Sequence, residues 1–125
     1  MKKLALLAAS ILVLSLVSRP ALAHHGEANY DTEKFTTVSG IVTEFQFINP
    51  HVLITVDVKN EKGEIEKWTG EARSPAMLSR YGDWDKNTIK LGQVITLTGH
   101  RTKNGTNFLR LEKIVLPDGK ELSNL

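Results

Sequence analysis

Residues 38–58, VSGIVTEFQFINPHVLITVDV, decide how this chain folds. In the second half, Val52, Ile54, Val56 and Val58 fall on one side of an extended backbone, and Leu53, Thr55 and Asp57 fall on the other. That period of two marks a half-buried β-strand. Val38 to Phe47 is rich in Val, Ile, Thr and Phe and reads as another strand, with Gly40 as a bulge or bend within it. Asn49-Pro50 turns one strand into the other.

Working outward, Asn60 to Gly63 is a hairpin turn and Ile65 to Glu71 a third strand with Trp68 and Gly70 on one face. The pattern changes at Ser74-Pro75, where an N-cap residue followed by proline starts a short helix through about Tyr81, stopping near Gly82. Residues 83–92 form a loop. Val94 to His100 is a fourth strand with Ile95, Leu97 and Gly99 inward, Asn104-Gly105 is a hairpin signal, and Phe108 to Leu116 is a fifth strand closed by Pro117-Asp118-Gly119. Three strands, a short helix and two strands predict an all-β fold: a five-stranded, partly open OB-like barrel with one helix between strands 3 and 4. A small β-sandwich is the competing architecture.

Upstream lies a different kind of sequence. Met1-Lys2-Lys3 is basic, and a 14-residue apolar run from Leu4 to Val17 follows, broken only by Ser10 and Ser15. Ala21-Leu22-Ala23 supplies a small-x-small site. These are the parts of a secretory signal peptide, and the run is shorter than the roughly 20 residues a membrane span needs. The expected organisation is a signal peptide over 1–23, an extended polar arm over 24–37, and the barrel over 38–125. The expected location is the periplasm, with no stable membrane insertion after cleavage.

Charge is read on the segment after that site. Of 16 basic residues, Lys2, Lys3 and Arg19 precede it, which leaves 13 against 14 acidic residues, a balance of −1. A near-neutral exported domain is a poor candidate for gripping a phosphate backbone, so no nucleic-acid partner is expected. The chain has no cysteine, which removes disulfides, thiolate metal sites and a cysteine nucleophile. Gly-x-Ser-x-Gly, a phosphate loop, His-Glu-x-x-His and an EF-hand loop are also absent from the sequence. No enzyme activity is expected on these grounds.

Four histidines carry what chemistry the sequence offers: His24, His25, His51 and His100. Imidazole suits copper, zinc and nickel. If cleavage follows Ala23, His24 brings two nitrogens from one residue, its α-amine and its ring Nδ1, and a second imidazole would complete a three-nitrogen copper site. His25, His51 or His100 could supply it. His51 falls in the loop between strands 1 and 2, and His100 ends strand 4, so both approach the rim that OB barrels commonly use for binding. The arm from His24 to Thr37 is 14 residues and reaches roughly 46 Å when extended, so its length does not limit the site. The plainer readings are a turn cap for His51, a solvated strand edge for His100 on the face of Thr96 and Thr98, and ordinary polar residues for His24 and His25. Arg73, Arg80, Arg101 and Arg110 could form an anion patch or simply a solvated surface.

Several segments together carry a family resemblance: AHHGEANYD (23–31), VSGIVTEFQFINPHVLITVDV (38–58), SPAMLSRYGDW (74–84) and TIKLGQVITLTGHRTKNGTNFLRLEKIVLPDGKEL (88–122). In this order they resemble the small exported bacterial proteins grouped as domain of unknown function 6152. The resemblance implies a small periplasmic β-barrel and no assigned activity. Where relatives typically read His-His-Ser-Phe, this chain has His24-His25-Gly26-Glu27. Three functional readings stand beside it. The first is a non-enzymatic Cu²⁺-binding domain, the second an OB-type module for a protein, peptide or glycan partner, and the third a brace-type copper oxidase.

Overall fold

The computed structural model describes residues 29–123 and 125. The strands are β1 (Thr36–Gln46), β2 (Leu53–Lys59), β3 (Ile65–Glu71), β4 (Val94–Arg101), β5 (Phe108–Val115) and β6 (Glu121–Ser123), with helix α1 (Pro75–Gly82) between β3 and β4. The sheet runs β3-β2-β1-β4-β5-β6. A parallel pairing of Thr69, Gly70 and Glu71 with Phe108, Leu109 and Arg110 joins β3 to β5 and closes five strands into a barrel. Among the described residues no helix is long and apolar enough to cross a membrane.

Alternation builds the interior. Val52, Ile54 and Val56 turn inward from the β2 segment, Ile95 and Leu97 from β4, and Leu109, Leu111 and Ile114 from β5. Leu78 of α1, with Trp84 and Ile89 from the loop after it, joins the same core. Gly70 leaves the room that Leu111 fills, since a methyl there would stand 2.7 Å from the leucine side chain.

Local signals act as their chemistry requires. The Ser74 hydroxyl accepts from the Met77 N–H and Pro75 opens the helix. Asp83, rather than Gly82, takes the left-handed conformation at the helix end. The irregularity in β1 lies between Val42 and Glu44 rather than at Gly40. Gly40 instead permits a close strand approach, because a methyl there would meet the Asp57 carbonyl oxygen at 2.4 Å. The chain after Pro117-Asp118-Gly119 adds β6, a three-residue strand pairing with Lys113–Val115, which the sequence pattern did not signal.

β1 begins at Thr36, and Asn29 to Phe35, part of the segment expected as an extended arm, packs onto the barrel wall. Tyr30 bridges Thr102, with Asp31 N–H donating to the Arg101 carbonyl and Lys103 N–H to the Asn29 carbonyl. Tyr30 is only 1% exposed.

Candidate functional site

The inward positions of the strands fix what faces out. Trp68 and Gly70 point into the core, so Glu71 points outward; Leu109 and Leu111 do the same for Arg110, and Leu97 and Gly99 for His100. Register then lines these residues up across the barrel wall: Glu71 beside Arg110, and Arg110 beside His100. The docked segment 29–35 covers this outward row.

Tyr30 lies over its middle. Its hydroxyl donates to Glu71 Oε2 at 3.0 Å, and the Arg110 guanidinium sits 5.6 Å from its ring centre. Burial, the neighbouring Glu71 charge and this hydrogen bond hold the Tyr30 hydroxyl well above the ordinary tyrosine range, against a smaller opposing pull from Arg110. The phenol therefore remains a proton donor.

The other Glu71 oxygen binds His51. Nδ1 of His51, in the β1–β2 loop, stands 2.5 Å from Glu71 Oε1. The glutamate side chain is 9% exposed and the histidine 48%. A carboxylate accepts, so the network assigns the His51 proton to Nδ1 and leaves Nε2 as the free nitrogen. A buried carboxylate that fixes a histidine through one ring nitrogen, with the other left free, is the arrangement that orients metal-ligating imidazoles. It is also how a general base is held.

His100 is used differently, and the solvated-edge reading does not hold: the residue is buried. Its Nδ1 lies 3.1 Å from the Asp31 carbonyl and 3.0 Å from that of Lys34. Two carbonyls only accept, so Nδ1 carries the proton. The Phe35 ring stacks on the imidazole at 4.6 Å, and Nε2 faces Glu112 Oε1 at 3.7 Å. His100 thus anchors the segment leading into β1.

Of the four histidines singled out in the sequence, His24 and His25 lie outside the described residues. His51 and His100 reach the same wall but not one point. Glu71, which holds His51, and His100 are on strands flanking β5, so their backbones are two strand spacings apart, roughly 10 Å. Among the described residues, no three His, Asp or Glu side chains form a group that could hold a metal ion.

A cavity of about 490 Å³ opens beside His51 and Glu71, with Arg73, Arg110, Glu112 and Ser123 on its other sides. The four arginines do not make one patch. Arg73 and Arg110 line this cavity. Arg101 lies over Trp68 and ties the β4–β5 hairpin through the carbonyls of Gly105 and Thr106 and the Asn107 side chain, and Arg80 stacks on Tyr81. Tyr30 and Glu71, the centre of the arrangement, were not read from sequence. The available signal was two aromatic residues, Tyr30 and Phe35, in a mostly polar arm.

A closed five-stranded barrel with its helix between the third and fourth strands is an OB-type barrel. The family of unknown function DUF6152 matches residues 11–109, and the chain belongs to that family. No curated protein matches the chain. Among solved structures it is similar to the mitochondrial single-stranded DNA binding protein Rim1 of S. cerevisiae. One crystal form aligns with 9% identity and a TM-score of 0.51, covering 67% of this chain and 93% of that one. Another gives 10% identity and a TM-score of 0.48 over 67% and 92%. At such identity the likeness is one of fold.

Proposed function

We propose that the protein is an exported, periplasmic, non-enzymatic metal-binding domain that takes Cu²⁺ at the cavity mouth. His51 Nε2 is the ligand fixed by the barrel, and the α-amine and ring of His24, freed by cleavage after Ala23, supply the rest. The observation that carries this reading is the Tyr30–Glu71–His51 chain. It presents an oriented imidazole with a free nitrogen, and it ties the root of the N-terminal segment to the same carboxylate. Five residues separate His24 from Tyr30, and the six steps between them span at most about 20 Å, enough to return to His51. Imidazole and amine nitrogens suit Cu²⁺. His25 and His100 are the lesser candidates, His100 because its Nδ1 is already committed to the carbonyls of Asp31 and Lys34.

Single-stranded nucleic acid is not the proposed ligand, although the structural neighbour binds it. The outward positions of β2 and β3 read Leu53, Thr55, Asp57, Lys59 and Ile65, Lys67, Thr69, Glu71, with no aromatic ring on which bases would stack.

The test is native mass spectrometry of the exported protein with one equivalent of Cu²⁺ and glycine as competitor. The expected species begins at His24 and retains copper. An extra residue ahead of His24, or His51→Ala, should release the metal, while His100→Ala should not. A mass beginning elsewhere, or copper retained equally by all variants, would overturn the proposal.

A further inference from the structure

The outer faces of β1 and β4 form a grid without charge. Register sets Thr37 beside Thr98, Ser39 beside Thr96 and Ile41 beside Val94. All six point away from the core, because Gly40, Val42, Ile95, Leu97 and Gly99 are the buried positions that alternate with them. The hydroxyls of Thr37 and Thr98 share a bond at 3.0 Å. Thr96 donates to Ser39, and Ser39 to the Ile95 carbonyl, each at 3.3 Å. Most hydroxyl hydrogens of the grid are thus directed into its own sheet, so covering the grid would strand few donors.

One end of the grid is apolar. Ile41, Val94 and Leu91, the last in the turn before β4, are each at least half exposed. Ile41 and Val94 are cross-strand partners, with Cβ atoms about 5 Å apart. An exposed apolar patch with a polar surround marks an interaction surface. Depletion of charge marks the centre of one.

The flanking strands carry charge, and there it is paired. On β2, Asp57 lies beside Ile41 and meets Lys67 of β3 at 2.8 Å. On β5, Lys113 lies beside Thr98 and meets Glu121 of β6 at 3.4 Å. Each flank balances its own charge. Such a face gives a charged partner no field to follow, while a second copy of it can approach without repulsion.

We infer that two copies of this chain associate through this face, about a two-fold axis beside the Ile41–Val94 pair. An axis there covers each exposed apolar side chain with its own counterpart, the self-complementary arrangement of two-fold dimers. From β2 to β5 the face is three strand spacings wide and about 14 Å long, a footprint on the order of 300 Å². Standard interfaces take roughly 800 Å² per partner, so the dimer is reversible, with a Kd above about 1 µM. The inference does not rest on the copper reading, and its test uses metal-free exported protein so that the two fail separately.

The test is analytical ultracentrifugation from about 5 to 500 µM, a range that brackets such a Kd. The average mass should climb from one chain towards two. Val94→Lys and Val94→Glu, both at an exposed position, set like charges opposite each other across the axis. Each should weaken association at least about ten-fold. An equimolar mixture of the two variants should associate more tightly than either alone, because only a second copy places position 94 against itself. A single-chain mass at every concentration would overturn the inference, whatever other molecule the face takes. So would a dimer that neither substitution weakens, or a mixture no tighter than its components.

Discussion

Tyr30→Phe isolates one hydroxyl. The replacement keeps the ring that fills the space under Arg110 and opens no cavity, so the loss is the bond to Glu71. A hydrogen bond to a charged group contributes about 1.5–3 kcal/mol. With Glu71 nearly buried and water largely excluded, about 2 kcal/mol is expected near neutral pH, which in a domain of this size lowers Tm by roughly 8–16 °C. The effect should also depend on pH, with a determinate sign. Burial raises the folded-state Tyr30 hydroxyl above the ordinary value of about 10. Above that pH the unfolded chain releases a proton the folded chain keeps, so the unfolded state binds fewer protons and stability falls as pH rises. The contribution is fully present below about pH 10 and declines by about 1.4 kcal/mol per unit above it. Tyr30→Phe lacks this term. The gap between wild type and variant, about 2 kcal/mol at pH 8, should therefore shrink to about 0.6 kcal/mol by pH 11. Urea unfolding followed by tryptophan fluorescence at pH 8, 10 and 11 measures it. A gap that stays constant across that range, or is absent at pH 8, would refute the role given to the buried phenol.

Other substitutions address the frame around the site. Gly99→Ala would put a methyl 2.2 Å from the Arg110 carbonyl oxygen, where backbone cannot yield cheaply. A loss of at least about 3 kcal/mol in thermal unfolding is expected, at the upper end for overpacking. His100→Ala removes the donor to the Asp31 and Lys34 carbonyls and the surface on which Phe35 stacks. Trypsin should then cut after Lys34 about ten-fold faster while near-ultraviolet dichroism of the core is unchanged, because the cost falls on local opening. Ser74→Ala deletes a helix cap whose bond is long, at 3.4 Å, so a loss near 0.5 kcal/mol is expected in urea unfolding. Glu71→Gln keeps the shape of the carboxylate and removes its charge behind His51. If His51 is a copper ligand, affinity for Cu²⁺ should fall by about 10–100-fold in competition titration.

The barrel was legible because its main signals are local. The alternation in Val52–Val58, the Ser74-Pro75 start and the glycine turns each act within a few residues, and each takes its expected place. β6 was not legible: a three-residue strand is too short for a period and is defined by its partner, Lys113–Val115. The candidate site failed to show for a related reason. Residue pattern alone makes His100 a solvated strand edge and Arg110 a surface residue, and it gives Glu71 no role. That reading holds only where nothing covers the wall. Here Tyr30 and Phe35, from a stretch with no periodicity, lie across it, and Glu71 and His100 end up buried while Arg110 stays partly exposed. What places them is not the arm's own pattern but the acceptors and donors waiting on β3, β4 and β5, brought together by a closure that joins residues 41 positions apart in the Tyr30–Glu71 bond. The Asn49-Pro50 turn signal puts His51 in its loop, and only the fold sets its orientation. A histidine in a turn is ordinary, but one whose Nδ1 is held by a carboxylate that is itself held from the N-terminal segment has a single nitrogen left to offer and a fixed direction in which to offer it.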